Sequence, residues 1–503
     1  MRRDRGALLL LPLAFLVAEL ALRDHGLPYW LWFNLDPSYI YLIGGLNILQ
    51  HAPPAQFQHP GVPVQLIVAV VAWLTPAADR LKDAETILTR VSDVMLVFDT
   101  WMLWLMGRCI QQRTGMLLPA LFAQLAPFVT MLALKHGIEV EPEPLLLGAA
   151  ALLVTTMVED AAVRRDANLV GMAFAVAFGS ACKITFAPLG VAPLIALSGH
   201  RRRAAYVAVT AILFALWMVP EIPNLAPMTA WFTALAKGSG AYGQGPQTMV
   251  AWASYPHHFA KLFFARPLFL IAFAFGIVAL LLGRRAAPET RLLLGLLTAQ
   301  LVQIALVAKH PSGHYILPAL ELAGPVLGLA WFVVVDSGRL SPRIAGRVGA
   351  LVLAAIVIAQ SVAFAQQDGE MRRRAAGARS IDLARDLPRC AHVYDFMASA
   401  PSAAWFYNDS YSGARYATEL KALMPPNDYF VEPWRGPIEN WDGTVTADAL
   451  VAQYPCAALR SAEPNAVDAL AKQFGARFEH AARCRAGDED ILVAGAGCPA
   501  AKP

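Results

Sequence analysis

The chain has 503 residues, of which 57% are hydrophobic and only 16% are charged, and its mean hydropathy is +0.47. These values exclude an ordinary soluble globular protein and indicate a chain that crosses a membrane many times. The formal net charge of +4 is too small to indicate a nucleic-acid partner.

Apolar runs long enough to cross, or nearly cross, a hydrocarbon core of about 30 Å follow one another along the chain. They lie at residues 7–22, 91–107, 116–134, 145–158, 168–182, 184–198, 204–220, 266–283, 290–308, 314–335 and 344–365. A shorter run, "VPVQLIVAVVAWL", lies at 62–74. Glu19 follows the first run and no clean cleavage site is visible, so we interpret that run as a retained helix rather than a signal peptide.

Clusters of Lys and Arg between the runs predict the orientation of the chain. If residues 62–74 lie in the interface instead of crossing it, every cluster falls on the cytoplasmic face. We therefore predict an α-helical protein of about eleven transmembrane spans, with its C-terminus outside. Residues 1–365 would form the membrane domain, with outer segments at 23–90, 135–144, 221–265 and 309–314.

The remaining tail, residues 366–503, mixes strand-like runs with helical patterns and predicts a small soluble α/β domain. It contains four of the six cysteines: Cys390, Cys456, Cys484 and Cys498. Four cysteines in an outer domain predict two disulfides in an oxidising compartment, although isolated buried thiols are the alternative. Spacing alone leaves three pairings open. We expect the first to join the second and the third to join the fourth, because the first pair would begin neighbouring strands and the second would close a hairpin.

The first outer segment contains "FNLDPSYIYL", in which Asp36 precedes a proline and Tyr39 follows. Asp36 could cap a helix that begins at the proline. However, a carboxylate near the membrane interface is costly to retain without a role. His51 and His59 flank prolines of the same segment, and neither of these two histidines shows the spacing of a zinc site.

The second outer segment is "KHGIEVEPEP", with Glu139, Glu141 and Glu143 at alternate positions. The two prolines favour extended backbone, which would place the three carboxylates on one face. The alternative is a polar helix terminus in which the helix dipole favours acids. We assign that plain dipole role to Glu143.

Cations accompany these acids on the same predicted face. "AKHPSGHYILPALEL" contains Lys309, His310, His314 and Tyr315, which would suit a phosphate at the interface or simply anchor the helix ends there. Lys183 lies alone at a predicted tight turn, where it either extends toward the interface or binds an anion.

These motifs, in this order and on this face, resemble the GT-C superfamily of membrane glycosyltransferases. That superfamily includes the protein O-mannosyltransferases and the lipid A aminoarabinose transferases. The resemblance covers about residues 1–335 and rests on the aspartate-tyrosine segment, "QHPGVPVQ", "ACKITFAPL" and "KHPSGHYILPALEL". In this chain the second acidic segment is rich in Glu, whereas an Asp is commoner at this place in the superfamily.

The resemblance implies transfer of a sugar from a polyprenyl-phosphate carrier to a glycan, lipid or protein acceptor at the outer face of the bacterial inner membrane. Asp36 would be the general base. Glu139 and Glu141 would orient the acceptor or, with Asp36, hold a divalent cation, and no other cofactor is implied. The substrate-binding residues would be Tyr39, His59, Lys183, Lys309, His310, His314 and Tyr315, of which Lys183, Lys309 and His314 would stabilise the departing phosphate.

Two other functional classes fit the composition. A transporter or flippase of a lipid-linked glycan is one, although ionisable residues inside the spans are sparse, with Asp93 and Asp99 as the notable pair. A non-catalytic envelope scaffold whose tail binds glycans is the other.

Overall fold

The computed structural model describes most of the chain, with short gaps. The described residues are 6–31, 38–54, 56–58, 60–76, 80–239, 246–284, 287–395, 414–431, 437–440, 442–461, 466–487 and 489–500. Two predicted site residues, Asp36 and His59, lie outside the described residues.

The chain divides into two compact units. The first comprises Met1–Leu20, Gln56–Ile67 and Val91–Ala365, and the second comprises Ala21–Ala55, Val68–Arg90 and Gln366–Pro503. The predicted C-terminal domain, residues 366–503, falls within the second unit, and its boundary stays a prediction. Residues 21–55 and 68–90, which we placed in the membrane domain, group with the C-terminal residues instead.

Most of the described chain is helical. The α-helices are Leu10–His25, Ser38–Leu49, Val62–Leu74, Ala84–Thr114, Leu117–Gln124, Met131–Gly137, Pro142–Ala162, Asp166–Cys182, Val191–Ala196, His200–Trp217, Leu225–Lys237, Tyr255–Phe264, Pro267–Leu282, Pro288–Val307, Leu317–Glu321, Ala323–Asp336, Pro342–Ser380, Leu383–Asp386, Ala414–Leu423, Ala447–Gln453 and Ala466–Ala471. Short 3₁₀ helices occur at Tyr29–Leu31, Ala126–Phe128, Ile184–Gly190, Val219–Asn224, His314–Ile316 and Lys472–Phe478.

The number of clear membrane spans is smaller than the sequence predicted. Within the described residues, four helical stretches are long and apolar enough to cross a bilayer, or six if two sharply bent helix pairs each count as one span. Our expectation of eleven spans is therefore wrong by this criterion. The reason is that several apolar runs fold as short or broken helices: the run at 184–198 becomes a 3₁₀ turn containing Pro188 followed by a six-residue helix.

Two helices of the first unit define where its polar residues lie. The helix Pro142–Ala162 has prolines in its first turn, and Glu141, the residue before it, has an extended backbone. It packs along the helix Asp166–Cys182, which ends at Lys183 in another extended conformation. The acidic stretch and the lysine are therefore both presented at helix termini.

The second unit contains a seven-stranded sheet: β1 (Ala391–Asp395), β2 (Asp428–Val431), β3 (Ile438–Asn440), β4 (Gly443–Val445), β5 (Ala457–Ser461), β6 (Ala482–Ala486) and β7 (Glu489–Ala494). The strand order is β4-β3-β2-β1-β5-β7-β6. β1 pairs in parallel with both β2 and β5, and the other neighbours are antiparallel. The predicted C-terminal α/β fold is confirmed.

Both predicted disulfides are present. Cys390 directly precedes β1 and is bonded to Cys456, which directly precedes β5. Cys484 on β6 is bonded to Cys498, beyond the end of β7. Because β1 and β5 are adjacent and in register, the first bond joins the starts of two neighbouring strands, as expected from the sequence.

Candidate active site

A half-buried histidine and two buried glutamates form the centre of the candidate site. His136 lies near the end of the helix Met131–Gly137, and Glu139 and Glu141 follow in the stretch that leads to the next helix. His136 Nδ1 lies 2.5 Å from a carboxylate oxygen of Glu141. Ligand atoms from all three residues lie within 4.8 Å of one another, although both glutamates are almost fully buried.

The electrostatics of this group are set by its burial. Burial disfavours the charged imidazolium, but Glu141 and then Glu139 outweigh that effect and raise the pKa of His136 to about 9. Burial, followed by the nearby charge of Glu143, raises the pKa of Glu141 above its usual range. Glu141 therefore stabilises the charged form of His136, and its own raised pKa makes it a stronger base than an exposed glutamate.

The second component is a buried ion pair between Lys183 and Glu143. Their side chains are 1% and 2% exposed. The Lys183 ammonium also lies 5.1 Å from the ring centroid of Tyr315, within the range of a cation–π contact. Glu143, to which we assigned a plain dipole role, instead neutralises the lysine that we expected to bind an anion.

The third component is the segment that begins at His314. The ring of His314 lies 5.8 Å from that of His136 and 4.2 Å from that of Tyr315, centroid to centroid. The side-chain amide of Gln303 donates to the carbonyl oxygens of both Thr185 and Tyr315, at 3.0 and 3.1 Å. Gln303 thereby joins the segment after Lys183 to the segment after His314.

The structure thus brings together five of the residues predicted from sequence: Glu139, Glu141, Lys183, His314 and Tyr315. Their individual roles stay predictions. His136 was not predicted, although it lies in the same ten-residue stretch as the glutamates. The sequence signal that could have identified His136 was its position five residues before Glu141, on the other side of a helix end.

Two predicted substrate-binding residues, Lys309 and His310, contact backbone carbonyl groups. The Lys309 ammonium donates to the carbonyl oxygens of Leu235 and Ala236, at 2.7 and 2.6 Å. The ring of His310 lies 3.1 Å from the same Leu235 oxygen. Both residues therefore satisfy the carbonyl groups at the end of the helix Leu225–Lys237.

Within the second unit, Tyr39 contacts a glutamate that was not predicted. Glu85 accepts hydrogen bonds from the backbone N–H groups of Tyr29 and Trp30, both at 3.0 Å, and from the hydroxyl of Tyr39 at 3.1 Å. Burial raises the pKa of Glu85, and these three donors oppose that shift. Glu85 therefore ties together the chain on either side of residues 32–37.

The whole architecture has counterparts among solved structures. The crystal structure of ArnT from Cupriavidus metallidurans bound to undecaprenyl phosphate matches with a TM-score of 0.52 and 14% identity, covering 97% of this chain and 98% of that one. The chain has an ArnT-like fold. The apo state of the same ArnT matches with a TM-score of 0.50 and 15% identity, over 96% and 97% of the two chains.

ArnT is a lipid A aminoarabinose transferase of the GT-C type, so the resemblance seen in the sequence is confirmed at the level of the fold. The similarity to ArnT extends through the C-terminal sheet domain, beyond the residues that carried the sequence motifs. No protein family matches the sequence, and no curated protein matches it either.

Proposed function

We propose that the chain is a membrane glycosyltransferase that moves a sugar from a polyprenyl-phosphate carrier to an acceptor hydroxyl. The main support for the proposal is that the His136–Glu141 pair lies in one cluster with Lys183, His314 and Tyr315. It lies in a fold like that of ArnT, which was crystallised with undecaprenyl phosphate. Such burial of acids beside cations is costly and is typical of functional sites.

The chemistry needs both kinds of charge. The acceptor oxygen forms a bond to the anomeric carbon while the bond from that carbon to the phosphate oxygen breaks, and the phosphate leaves with the electron pair. A carboxylate takes the proton of the acceptor hydroxyl. The family resemblance implies that Asp36 accepts this proton. Glu141 and His136 would orient the hydroxyl.

Cations would stabilise the negative charge that develops on the departing phosphate. Lys183 and His314 are the described residues placed for this role, with Tyr315 against the lysine ammonium. Glu143 holds the lysine in place when no phosphate is present. Donor binding would therefore compete with the Glu143 carboxylate for the same ammonium group.

A divalent cation is a further part of the proposal. His136, Glu139 and Glu141 offer imidazole and carboxylate ligands close enough for one ion. When bound, such an ion would supply positive charge that polarises an oxygen of the substrate. A chelator that abolished turnover, with recovery on adding one divalent metal, would support this assignment.

The acids and cations of the site would face the periplasm, with the sheet domain on the same side. Arg164 and Arg165 support this orientation, because they lie between the opposite ends of the helices Pro142–Ala162 and Asp166–Cys182, and basic residues favour the cytoplasmic face. The location would be the bacterial inner membrane.

The proposal is tested with purified protein in lipid nanodiscs and a panel of polyprenyl-phosphate sugars. We expect release of polyprenyl phosphate from at least one donor in the presence of a membrane-glycan extract. A flippase would instead move the intact lipid across a vesicle without cleaving it. Translocation with no release of lipid phosphate from any donor would therefore refute the proposal.

A further inference from the structure

One face of the sheet in the second unit borders a cavity of about 330 Å³. We call it the sheet-face cavity. It is lined by Tyr394 on β1, Asp428 and Phe430 on β2, and Arg460 on β5, with the segment 378–385 opposite them. Trp30, which is 46% exposed, also lines it.

Buried polar contacts form the floor of the cavity. Arg460 is 4% exposed, is paired with Glu489, and donates to the carbonyl oxygens of Ala378 and Ile381 at 3.0 and 2.9 Å. On β2, Asp428 lies 2.8 Å from the ring of the fully buried His392. The other face of the same sheet packs apolar side chains, whereas the cavity side combines these polar groups with a smaller apolar cluster that Tyr394 packs against.

Aromatic rings lie beside these polar groups. Tyr394 and Phe430 are cross-strand neighbours in register, and their rings lie nearly parallel, 5.7 Å apart between centroids with a 22° interplanar angle. Because Phe430 is only 7% exposed, the accessible aromatic surface of the lining comes from Trp30 and the half-buried Tyr394. Arg379, Asp382 and Arg385 are exposed residues of the lining that offer hydrogen-bond donors and acceptors.

The charges of the lining nearly cancel. It contains three arginines and two aspartates, but Arg460 is paired with Glu489, and Arg385 is paired with Asp386 at 2.7 Å. A site for a polyanion would carry a large excess of positive charge. Aromatic surface bordered by balanced polar groups suits a ring with one apolar C–H face and hydroxyls at its edge.

We propose that the sheet-face cavity binds a neutral saccharide of one or two pyranose rings. The volume is at the small end of ligand pockets, which suits a ligand of this size. Trp30 and Tyr394 would contact the C–H face of the sugar, and Arg379 and Asp382 would bind its hydroxyls. This proposal does not rest on the transferase proposal, because its readout is binding in the absence of any lipid donor.

The test measures binding of four probes to the full-length protein in nanodiscs by saturation-transfer NMR. The probes are the methyl glycosides of glucose, galactose, mannose and N-acetylglucosamine. We expect at least one to bind, with the strongest transfer to its C–H protons. Arg379→Ala and Trp30→Ala should each weaken that binding about tenfold.

Arg373→Ala is the matched control, since Arg373 is an exposed arginine on the same helix and does not line the cavity. It should bind like the wild type. Tyr394→Phe, which keeps the ring and its packing, should retain measurable binding, whereas Tyr394→Ala should lose it if the variant folds. The proposal is overturned if no probe binds, if Arg379→Ala and Trp30→Ala bind like Arg373→Ala, or if inorganic phosphate displaces the sugar.

Discussion

At the scale of single residues, the ion pair of Lys183 and Glu143 determines how the site tolerates change. Both side chains are almost completely buried, so neither charge can be solvated if its partner is lost. Replacing one residue of such a pair leaves an uncompensated buried charge. The loss of stability is then larger than the stability that the intact pair provides relative to two apolar residues. The pair is therefore a stability element as well as a proposed donor-binding element.

We predict that Lys183→Ala lowers the free energy of unfolding by about 3–5 kcal/mol, and that Glu143→Gln is also clearly destabilising. Replacing both residues, as in Lys183→Met with Glu143→Gln, should recover part of the loss. Thermal unfolding in detergent measures these effects. Lys421→Ala, which breaks the exposed pair with Asp442, is the control and should change little. If Lys183→Ala were as mild as that control, the buried pair would be misassigned.

The role of Asp36 as the general base leads to a prediction about enzyme kinetics. Asp36→Asn should reduce turnover by ~10²–10⁴-fold while donor binding stays nearly intact, because the amide keeps the shape but cannot take the proton. Turnover and donor affinity must be measured on the same preparation. Full activity in the correctly folded variant would move the role of base to the glutamates.

Sequence reasoning found most of the described site residues because ionisable groups are rare in this apolar chain. Glu139, Glu141 and Lys183 were conspicuous for that reason. Their partners could not be predicted, since the contact of Lys183 with Glu143 joins residues 40 positions apart. Glu85 was missed for the same reason: its donors are 46 to 56 residues away.

At the scale of elements, the disulfides link strands that the sequence already suggested. They close loops with sequence separations of 66 and 14 residues. The pairing was predictable because each cysteine borders a recognisable strand. The number of spans was not predictable, because an apolar run does not show where prolines and tertiary contacts will break it into shorter helices.

Removing each disulfide should destabilise the protein by an amount that follows the loop length. In the chain-entropy picture, loss of Cys390–Cys456 costs about 4 kcal/mol and loss of Cys484–Cys498 about 3 kcal/mol. Paired Cys→Ser variants and thermal unfolding measure this order. Thiol labelling of protein purified without reductant is the direct check, and four reactive thiols from the C-terminal domain would contradict both bonds.

At the scale of the whole molecule, the ArnT-like fold was predictable from the order of motifs, but the division into units was not. Residues 21–55 and 68–90 group with the C-terminal residues through contacts that no local pattern encodes. The helix Val62–Leu74, which overlaps the start of the second segment, has 13 residues and is about 20 Å long. That is shorter than a hydrocarbon core of about 30 Å, in keeping with an interfacial position.

A topology reporter tests that interpretation. Fusions after Asp79 and after Gly137 should both report the outer face, because the interfacial helix does not change the side of the chain. A fusion after Arg203 should report the cytoplasm and serves as the control. A cytoplasmic signal at Asp79 would mean that Val62–Leu74 crosses the membrane and that the proposed orientation is wrong.

The most direct test of the central claim is the rate of polyprenyl-phosphate release by wild type and Glu141→Gln, compared on equally stable protein. We predict that the wild type releases lipid phosphate and that Glu141→Gln slows release by about a hundredfold, because the amide can neither share a proton with His136 nor orient the acceptor through a carboxylate. Glu439→Gln, a substitution in the sheet domain, should leave the rate unchanged. Equal rates for wild type and Glu141→Gln would contradict the assignment of this buried cluster as the site of sugar transfer.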